Sequence, residues 1–293
     1  MYDFSALYEA TSVQNAVELL RDHPNAILIA GGSDVLIKMR EGKLAGAELV
    51  SIYKLDELRE VTIDPDGALR IGPMTSFSHA TKSPVLQKYM PVLGESADTA
   101  GGPQLRNIGT LGGNICNGVT SADTASTEVA YDAILEITSV NGTRKMSIHD
   151  FYKGPGKVAL EHGELLTAIL IPKESYENCY GYYMKYAMRN AMDIATIGCS
   201  VNVVLSADKK TIQRARIAYG VAGPVPMRTR TAEAALAGKS VGEEAIETIG
   251  REVLNDVNPR TSWRATADFR KQIISETARR GLKAAIERAG GVF

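Results

Sequence analysis

The sequence contains few cysteines and no cysteine pattern that binds metal. Cys116, Cys179 and Cys199 are the only three among 293 residues, and none belongs to a C-x-x-C pair. An odd number of scattered cysteines excludes a disulfide framework, a structural zinc site and an iron–sulfur cluster held by this chain. The four histidines are equally dispersed and lack ligand spacing. We therefore expect no metal site.

The chain also lacks a strong charge of either sign and any long apolar run. Its formal net charge is −1, without a basic block, which argues against nucleic acid or an anionic membrane as a partner. No apolar run approaches the roughly 20 residues of a membrane span. The acidic start, Met1-Tyr2-Asp3-Phe4, has no signal-peptide pattern. We expect a globular cytoplasmic protein of two or three domains.

Two short glycine turns, about eighty residues apart, are the most informative features present. The first is Ala30-Gly31-Gly32-Ser33-Asp34, after an apolar run, and the second is Gly109-Thr110-Leu111-Gly112-Gly113-Asn114. Glycine lets an amide turn toward a ligand, and clustered amides beside a hydroxyl bind phosphate oxygens. Neither turn follows the nicotinamide fingerprint or the P-loop pattern. Each could be an ordinary turn, whereas together they could hold both phosphates of a dinucleotide.

Helix and strand patterns alternate through about the first 54 residues, as in a small α/β unit, and hairpins and helices follow up to residue 171. Thr11 or Ser12 predicts the start of a helix, and apolar runs predict strands at 26–29, 48–52 and 165–171. Two turn sequences, Asp64-Pro65-Asp66-Gly67 and Asn141-Gly142, predict hairpins over 60–71 and 133–148. Helices are predicted at 76–100, broken by Pro84 and Pro91, and at 122–131, with a short helix or tight loop at 35–39.

The remainder of the chain shows strands followed by helices. Strands are predicted at 180–187, 198–205 and 212–221, and helices at 231–237, 242–255 and 265–289. A run of strands and then of helices is typical of a separate α+β domain. The polar stretch 172–178 is the predicted boundary before it.

Several segments together carry a resemblance that spacing alone does not. The run from Gly102 to Asn114, then Ser121-Ala122-Asp123, Gly154-Pro155-Gly156-Lys157 and Lys185-Tyr186-Ala187-Met188-Arg189, resembles the FAD-binding subunits of the molybdenum hydroxylases. The likeness is strongest to the bacterial xanthine dehydrogenase type and extends from Phe4 to about Arg270. It implies an α+β fold in which two subdomains clamp FAD, like vanillyl-alcohol oxidase, followed by a C-terminal α+β domain with a three-stranded sheet. The expected boundaries are 1–54, 55–175 and 176–293.

The resemblance also implies an assembly. Relatives form a heterotrimer with a small iron–sulfur subunit and a large molybdopterin subunit, and electrons pass through the clusters to FAD and usually to NAD+. The resemblance implies that this chain is the FAD-binding subunit that transfers electrons within that oxidoreductase. Two alternatives stay open: a stand-alone FAD-dependent reductase of the same fold, and an assembly subunit that has lost flavin.

The resemblance assigns cofactor contacts to this chain, with no catalytic residue and no metal ligand among them. No histidine stands in the first turn, so FAD is expected to bind non-covalently. The residues expected at the first turn are Leu28, Ile29, Ala30, Gly31, Gly32, Ser33, Asp34 and Val35. Those expected at the second turn are Thr110, Leu111, Gly112, Gly113 and Asn114.

Three further residues are assigned to FAD by the same resemblance: Asp123, Leu166 and Lys185. A carboxylate such as Asp123 accepts hydrogen bonds from ribose or ring N–H groups, and a lysine beside the flavin ring stabilises its reduced form. Each has a plainer interpretation. Asp123, like Asp34, could cap a helix; Leu166 could be a core residue; and Lys185 could be a solvated lysine on a strand.

Overall fold

A computed structural model describes residues 2–293. The first unit comprises β1 (Phe4–Glu9), α1 (Val13–Asp22), β2 (Ile27–Ile29), α2 (Val35–Arg40) and β3 (Ala47–Ser51). Its three strands are parallel, in the order β1-β3-β2. The predicted helix begins after Ser12, whose hydroxyl accepts a hydrogen bond from the Asn15 amide. The sequence analysis does not predict β1, an edge strand that is largely exposed, with only Ala6 and Tyr8 half-buried.

The second unit is built on an antiparallel five-stranded sheet, and it contains both predicted hairpins. Its elements are β4 (Val61–Ile63), β5 (Leu69–Ile71), α3 (Phe77–Lys82), α4 (Pro84–Tyr89), α5 (Pro91–Asp98), α6 (Pro103–Ile108), α7 (Leu111–Cys116), α8 (Ala125–Ala130), β6 (Ile134–Ser139), β7 (Gly142–Ser147), α9 (Ile148–Phe151), β8 (Tyr152–Gly154), β9 (Lys157–Val158) and β10 (Leu165–Ile171). The sheet order is β4-β5-β10-β6-β7, and β8 pairs with β9 separately.

Proline and glycine set the helix boundaries of this unit. Pro84 and Pro91 each occupy the first turn of a new helix, α4 and α5, as their fixed φ and missing N–H favour. The second glycine turn differs from its prediction, because Leu111 begins the helix α7. Thr110 caps that helix by accepting a hydrogen bond from the Gly113 amide. Glycine has a low helix propensity, so two glycines within one helical turn keep the sequence from predicting this helix.

The third unit is an α+β layer whose sheet has four strands instead of the expected three. Its elements are α10 (Lys173–Tyr176), β11 (Tyr180–Tyr186), β12 (Ile197–Leu205), β13 (Ile212–Gly220), β14 (Met227–Arg228), α11 (Arg230–Leu236), α12 (Glu243–Glu252) and α13 (Ala267–Arg288). The three predicted strands and three predicted helices are confirmed. The additional strand β14 pairs with the outer edge of β13. Two residues are too few to show strand periodicity, so the sequence does not indicate it.

The third sheet lies between helices of two units, and this arrangement positions the candidate site. The helix α13 packs on β11 and β12, while α5 and α8 of the second unit pack on the opposite face. Asn202 of β12 donates to the Ala130 carbonyl at the end of α8, at 3.0 Å. The start of α8 therefore faces the end of β11. Across residues 2–293, no helix combines the length and apolarity that a membrane span requires.

Candidate cofactor site

The first glycine turn presents a row of unused backbone donors. Within residues 2–293, the amides of residues 30–35 donate to no acceptor. They lie between the end of β2 and the start of α2, and Gly32 adopts a φ of +78° that an L side chain rarely accepts. Consecutive N–H groups at such a strand-to-helix turn form an anion site. This geometry is what the phosphate interpretation of the turn requires.

The side chains of the same turn are also without internal partners. Asp34 occupies the N-cap position of α2, but its carboxylate makes no capping hydrogen bond. The Ser33 hydroxyl is not engaged by another group in the described chain either. The capping alternative for Asp34 therefore lacks the bond that defines it.

The second glycine turn uses its amides internally, in contrast to the first. Leu111 donates to the Thr75 carbonyl at 3.0 Å and Gly112 to the Pro73 carbonyl at 2.8 Å. The Gly113 amide is taken by the Thr110 hydroxyl at 3.0 Å. Clustered free amides, the feature inferred from sequence, are therefore found at the first turn and not at the second. In the second turn, glycine is required for packing, since a Cβ at Gly112 would lie 2.4 Å from Pro73 Cβ.

The two turns touch each other directly. A Cβ at Gly31 would lie 1.8 Å from the carbonyl oxygen of Ile108, which is closer than any real contact. The tip of the first turn is therefore seated against the chain that enters the second. Lys38 of α2 strengthens this junction by donating to Asn117 Oδ1 at 3.2 Å. The sequence predicts both turns, and the structure brings them to one place.

Asn114 links the second turn to the start of α8. Its Oδ1 accepts from the Thr124 amide at 3.2 Å and from the Thr124 hydroxyl at 2.8 Å. The Asn114 amide oxygen therefore braces the turn that precedes α8. Thr124 directly follows Asp123, so the brace fixes the position of that carboxylate.

Asp123 and Lys185 form a buried ion pair. Lys185 Nζ lies 3.0 Å from the Asp123 carboxylate and donates to the Thr99 carbonyl at 3.0 Å, with both side chains nearly inaccessible. The Tyr183 hydroxyl donates to the same carboxylate at 3.4 Å. Burial raises the pKa of Asp123 to about 6, and the Lys185 ammonium partly offsets that effect. The interpretation of Lys185 as a solvated lysine is wrong, since its side chain is only 8% exposed.

The apolar residues assigned by resemblance divide into two groups. Leu28 and Ile29 are half-buried on β2, beside the free amides. Leu166 is only 3% exposed in the core of the second unit, and it pairs with Ile137 across β6 and β10. The structure therefore places Leu166 where the core interpretation puts it, and its contact with a cofactor stays a prediction.

The sequence analysis did not identify one buried acid that lies next to Asn114 and Thr124. Glu128 of α8 is completely buried, and its Oε1 has no hydrogen-bond partner within residues 2–293. Burial raises the pKa of Glu128 to about 8, so its carboxyl holds a proton at neutral pH. Its Oε2 lies 3.5 Å from the Thr124 hydroxyl that also binds Asn114. The available signal was a single charge within the otherwise small and apolar segment Ala125–Ala130.

Comparison with protein families settles which proteins share this architecture. The model described as "FAD binding domain in molybdopterin dehydrogenase" matches residues 2–174, and "CO dehydrogenase flavoprotein C-terminal domain" matches residues 182–285. The chain belongs to the molybdopterin dehydrogenase flavoproteins. FAD is accordingly the cofactor of its first two units.

Individual relatives of this flavoprotein match along its whole length. It is 43% identical to a putative xanthine dehydrogenase FAD-binding subunit of Escherichia coli K12, over 99% of both chains. It is 29% identical to the carbon monoxide dehydrogenase medium chain of Hydrogenophaga pseudoflava, over 94% of both chains. The resemblance drawn from the glycine turns and the later segments is confirmed.

Solved structures confirm the fold of the flavoprotein. A carbon monoxide dehydrogenase of Hydrogenophaga pseudoflava superposes with a TM-score of 0.92, covering 98% of this chain and 99% of that one, at 29% identity. Quinoline 2-oxidoreductase of Pseudomonas putida 86 gives a TM-score of 0.90 over 98% of both chains, at 26% identity.

The contact between the two turns predicts the effect of a single methyl group. Gly31→Ala forces the first turn away from Ile108, because the added carbon overlaps the carbonyl oxygen. We expect FAD affinity to fall at least tenfold, since displaced amides no longer converge on phosphate; tenfold corresponds to about 1.4 kcal/mol. Titration of the apoprotein with FAD, followed by flavin fluorescence, measures the change.

A matched control for this variant is Gly102→Ala. Its added Cβ would lie 3.5 Å from Met192, an ordinary contact, so FAD affinity should stay within about twofold of the parent. Circular dichroism of both apoproteins separates a local change from unfolding. Equal FAD affinities for Gly31→Ala and the parent would contradict the proposed turn contact.

The buried acid predicts a specific pH dependence of stability. An ordinary glutamate has a pKa of 4.5, and that of Glu128 is raised to about 8. Between these values the folded chain holds a proton that the unfolded chain has lost, so the free energy of unfolding falls as pH rises. Glu128→Gln should match the parent near pH 5 and be more stable by about 3 kcal/mol at pH 8.

Urea unfolding at the two pH values measures this difference. Glu243→Gln, at an exposed position on α12, serves as the control and should follow the parent at both. A Glu128→Gln variant whose stability parallels the parent from pH 5 to pH 8 would show that Glu128 ionises like a solvated carboxylate.

Proposed function

We propose that this chain is the FAD-binding electron-transfer subunit of a molybdenum hydroxylase of the xanthine dehydrogenase type. In this proposal it receives electrons from iron–sulfur clusters of a small partner subunit and passes them to NAD+. A large molybdopterin subunit oxidises the substrate. The observation that carries the proposal is the 43% identity to a putative xanthine dehydrogenase FAD-binding subunit over 99% of both chains. We further propose subdomains at 1–54 and 55–175, with a C-terminal domain at 176–293.

The residues present fit the cofactor that the family implies. Free amides at residues 30–35 offer hydrogen bonds to a phosphate. Gly31 lets the turn lie directly against Ile108, and Gly32 supplies the positive φ of the turn. No histidine, cysteine or tyrosine stands in residues 28–35 or 110–114, which supports non-covalent binding. When bound, FAD supplies the exchange of electrons between one-electron carriers and a two-electron acceptor.

The second group of contacts in this proposal tunes the cofactor electrostatically. Lys185 is buried, and its ammonium is fixed by Asp123 and the Thr99 carbonyl. A fixed cation stabilises negative charge in a low-dielectric site more strongly than in water. We propose that Lys185 faces the isoalloxazine edge and that Asp123 holds the lysine while accepting a hydrogen bond from the cofactor.

The two alternatives are weaker on the same grounds. A stand-alone reductase of this fold leaves residues 182–285 unexplained, because these match the C-terminal domain of a dehydrogenase flavoprotein. A subunit that has lost flavin would not need to keep Gly31 so tightly against Ile108, nor the row of free amides beside it.

Purification of the native complex tests the proposed function. We expect a tagged copy of the full chain, expressed in its own source, to co-purify with an iron–sulfur subunit and a molybdopterin subunit. The complex should contain FAD that is released by acid and should reduce NAD+ when supplied with an oxidisable purine. A chain recovered alone, or a complex active only with dyes, would contradict the assembly or the acceptor, respectively.

The charge pair predicts opposite shifts of the flavin reduction potential. Lys185→Met removes a cation and should lower the two-electron potential by roughly 30 mV, equivalent to about 1.4 kcal/mol. Asp123→Asn removes an anion and should raise the potential, while the double variant should lie near the parent. Equilibration with reference dyes at pH 8, where Asp123 is ionised, measures all three.

Lys239→Met is the control for the potential measurements. Lys239 pairs with Glu244 on the surface of the third unit, at 2.6 Å, and its removal should leave the potential unchanged. If Lys185→Met behaved like Lys239→Met, the lysine would not lie at the flavin.

A further inference from the structure

The buried acid Glu128 has no counter-charge, although it lies close to residues assigned to FAD. Its side chain is fully buried, and its Oε1 has no hydrogen-bond partner within residues 2–293. Burial is the main influence on the pKa of Glu128, and only the hydroxyl of Thr124 opposes it. Because an unpaired buried carboxylate is costly, the neutral acid is the favoured form. Such a group is kept at a free-energy cost, which points to a function.

The direction of one hydrogen-bond chain also favours a proton on Glu128. The Thr124 amide donates to Asn114 Oδ1 at 3.2 Å, which identifies that atom as an oxygen that can only accept. The Thr124 hydroxyl lies 2.8 Å from the same oxygen, so its single proton is used there. The 3.5 Å contact between Thr124 Oγ1 and Glu128 Oε2 is then most favourable when the carboxyl supplies the proton.

Ionisation of Glu128 would act on the residues assigned to the flavin in two ways. A carboxylate is a stronger acceptor than an amide oxygen, so it would compete with Asn114 for the Thr124 proton. Thr124 directly follows Asp123, whose carboxylate lies 3.0 Å from Lys185 Nζ. The new negative charge would also act across a protein interior, where charges interact more strongly than in water. Both effects couple the protonation of Glu128 to the proposed flavin contacts.

Two other titratable groups lie near Glu128, and both are neutral at physiological pH. Burial, together with the Glu128 carboxylate, raises the pKa of Cys116 on α7 to about 12. The same two causes raise the pKa of Tyr152 on β8 well above its usual value. The Tyr152 hydroxyl has no hydrogen-bond partner within the described residues. Glu128 is therefore the member of this cluster that titrates near neutral pH.

The charged and titratable side chains on the elements packed against α8 are engaged elsewhere. These elements are α5, α9, β12, β13 and β14. The ion pairs are those of Arg216, Arg228 and His149 with Asp132, of Glu95 with Arg288, and of Asp98 with Arg106. The remaining groups are Arg214, which donates to the Glu174 carbonyl, Cys199, which contacts Thr277 of α13, and Asp150, which is exposed. None of them compensates the Glu128 carboxylate.

We propose that Glu128 binds a proton when the flavin is reduced and releases it when the flavin is oxidised. The inference rests on the proposed function, in which Asp123 and Lys185 lie at the flavin. Reduction adds two electrons and one proton from solvent to FAD, so the cofactor gains one negative charge. That charge disfavours a nearby carboxylate, and ionised Glu128 takes up a second proton from solvent. Where this occurs, two electrons and two protons are consumed together.

The pH dependence of the flavin reduction potential tests the proposal. The FAD-loaded full chain is equilibrated with reference dyes from pH 7, above the pKa of about 6 of Asp123, to pH 9.5. In a two-electron reduction each proton contributes about 30 mV per pH unit, because a tenfold change in the equilibrium constant is about 30 mV. The parent should follow this slope near pH 7 and become steeper above pH 8, where Glu128 is ionised in the oxidised protein.

Glu128→Gln should remove the steeper range. Near pH 7 the parent and the variant should share one potential, because both side chains are neutral. At pH 9.5 reduction of the variant should be about tenfold more favourable, which is about 30 mV, because the parent then carries an anion that opposes reduction. Identical profiles for the parent and Glu128→Gln would overturn the proposal.

Infrared difference spectra of the parent test the proton uptake without any variant. At pH 8.5, reduction of the flavin should produce the C=O stretching band of a protonated carboxyl group. Glu128→Gln should lack this band. A parent spectrum without the band would contradict proton uptake by Glu128.

Two control variants address the neighbouring groups. Tyr152→Phe removes the hydroxyl that has no partner, and Glu243→Gln neutralises an exposed acid of α12. Both should keep the steeper range above pH 8. FAD content and circular dichroism verify that each variant is folded. Loss of the steeper range in Tyr152→Phe, with Glu128→Gln unchanged, would assign the proton to the tyrosine and refute the role of Glu128.

Comparison with Lys185→Met separates this inference from the proposed function. If Lys185→Met shifts the potential while the parent and Glu128→Gln have identical profiles, the placement of the flavin stands and the role of Glu128 is refuted. If Glu128→Gln removes the steeper range while Lys185→Met has no effect, Glu128 is retained and the lysine is refuted. A parent with a single slope and no effect of either variant would refute both.

Discussion

The close seating of Gly31 against the Ile108 carbonyl is the constraint on which the rest of the site depends. An added methyl group would stand 1.8 Å from that oxygen, so the first unit can approach the second only because position 31 has no side chain. The contact fixes the distance between two turns that belong to separate sheets. Beside this contact, the amides of residues 30–35 donate to no acceptor within the described chain. A diphosphate site between the first and second units therefore depends first on the steric fit of these two turns to each other, and only then on hydrogen bonds to the ligand.

The two turns contribute unequally to this arrangement. The first keeps its amides free, whereas the second spends them on Thr75, Pro73 and Thr110 and so forms a rigid platform. A donor row held against a fixed support is preorganised, which lowers the cost of ordering it when a ligand binds. The Asn114–Thr124 hydrogen bonds extend the platform to Asp123, whose buried pairing with Lys185 joins the third unit to the second. Three units thus converge on one site through polar contacts of short reach.

Local chemistry allowed most of the elements to be predicted. Asn141-Gly142 specifies its hairpin, and Pro84 and Pro91 divide three helices, because turn and helix-start preferences act within a few residues. Strands β14 and β1 were not predicted, since β14 has only two residues and β1 is a largely exposed edge strand. Glycine was also interpreted too narrowly: Gly112 is required by Pro73, and not by a free amide.

Contacts between distant residues could not be read from patterns at all. Lys185 and Asp123 are 62 positions apart, and nothing in either neighbourhood indicates that one is the partner of the other. The burial of Glu128 likewise depends on how α8 packs between the third sheet and the helices α5 and α9. The resemblance to a family pointed to Lys185 and Asp123 separately, but only the structure shows that their charges are paired.

The last helix is tied to the second unit by a contact that can form only late in synthesis. Arg288, in the final turn of α13, reaches Glu95 at 2.8 Å and the Gly181 carbonyl at 2.8 Å. Domains generally fold in sequence as the ribosome delivers them. The five-stranded sheet is complete at Ile171, yet this clasp must wait for more than a hundred later residues, 193 positions after its acidic partner. The first two units are therefore synthesised before the residue that ties the last helix to them, and docking of the third unit is a late step of folding.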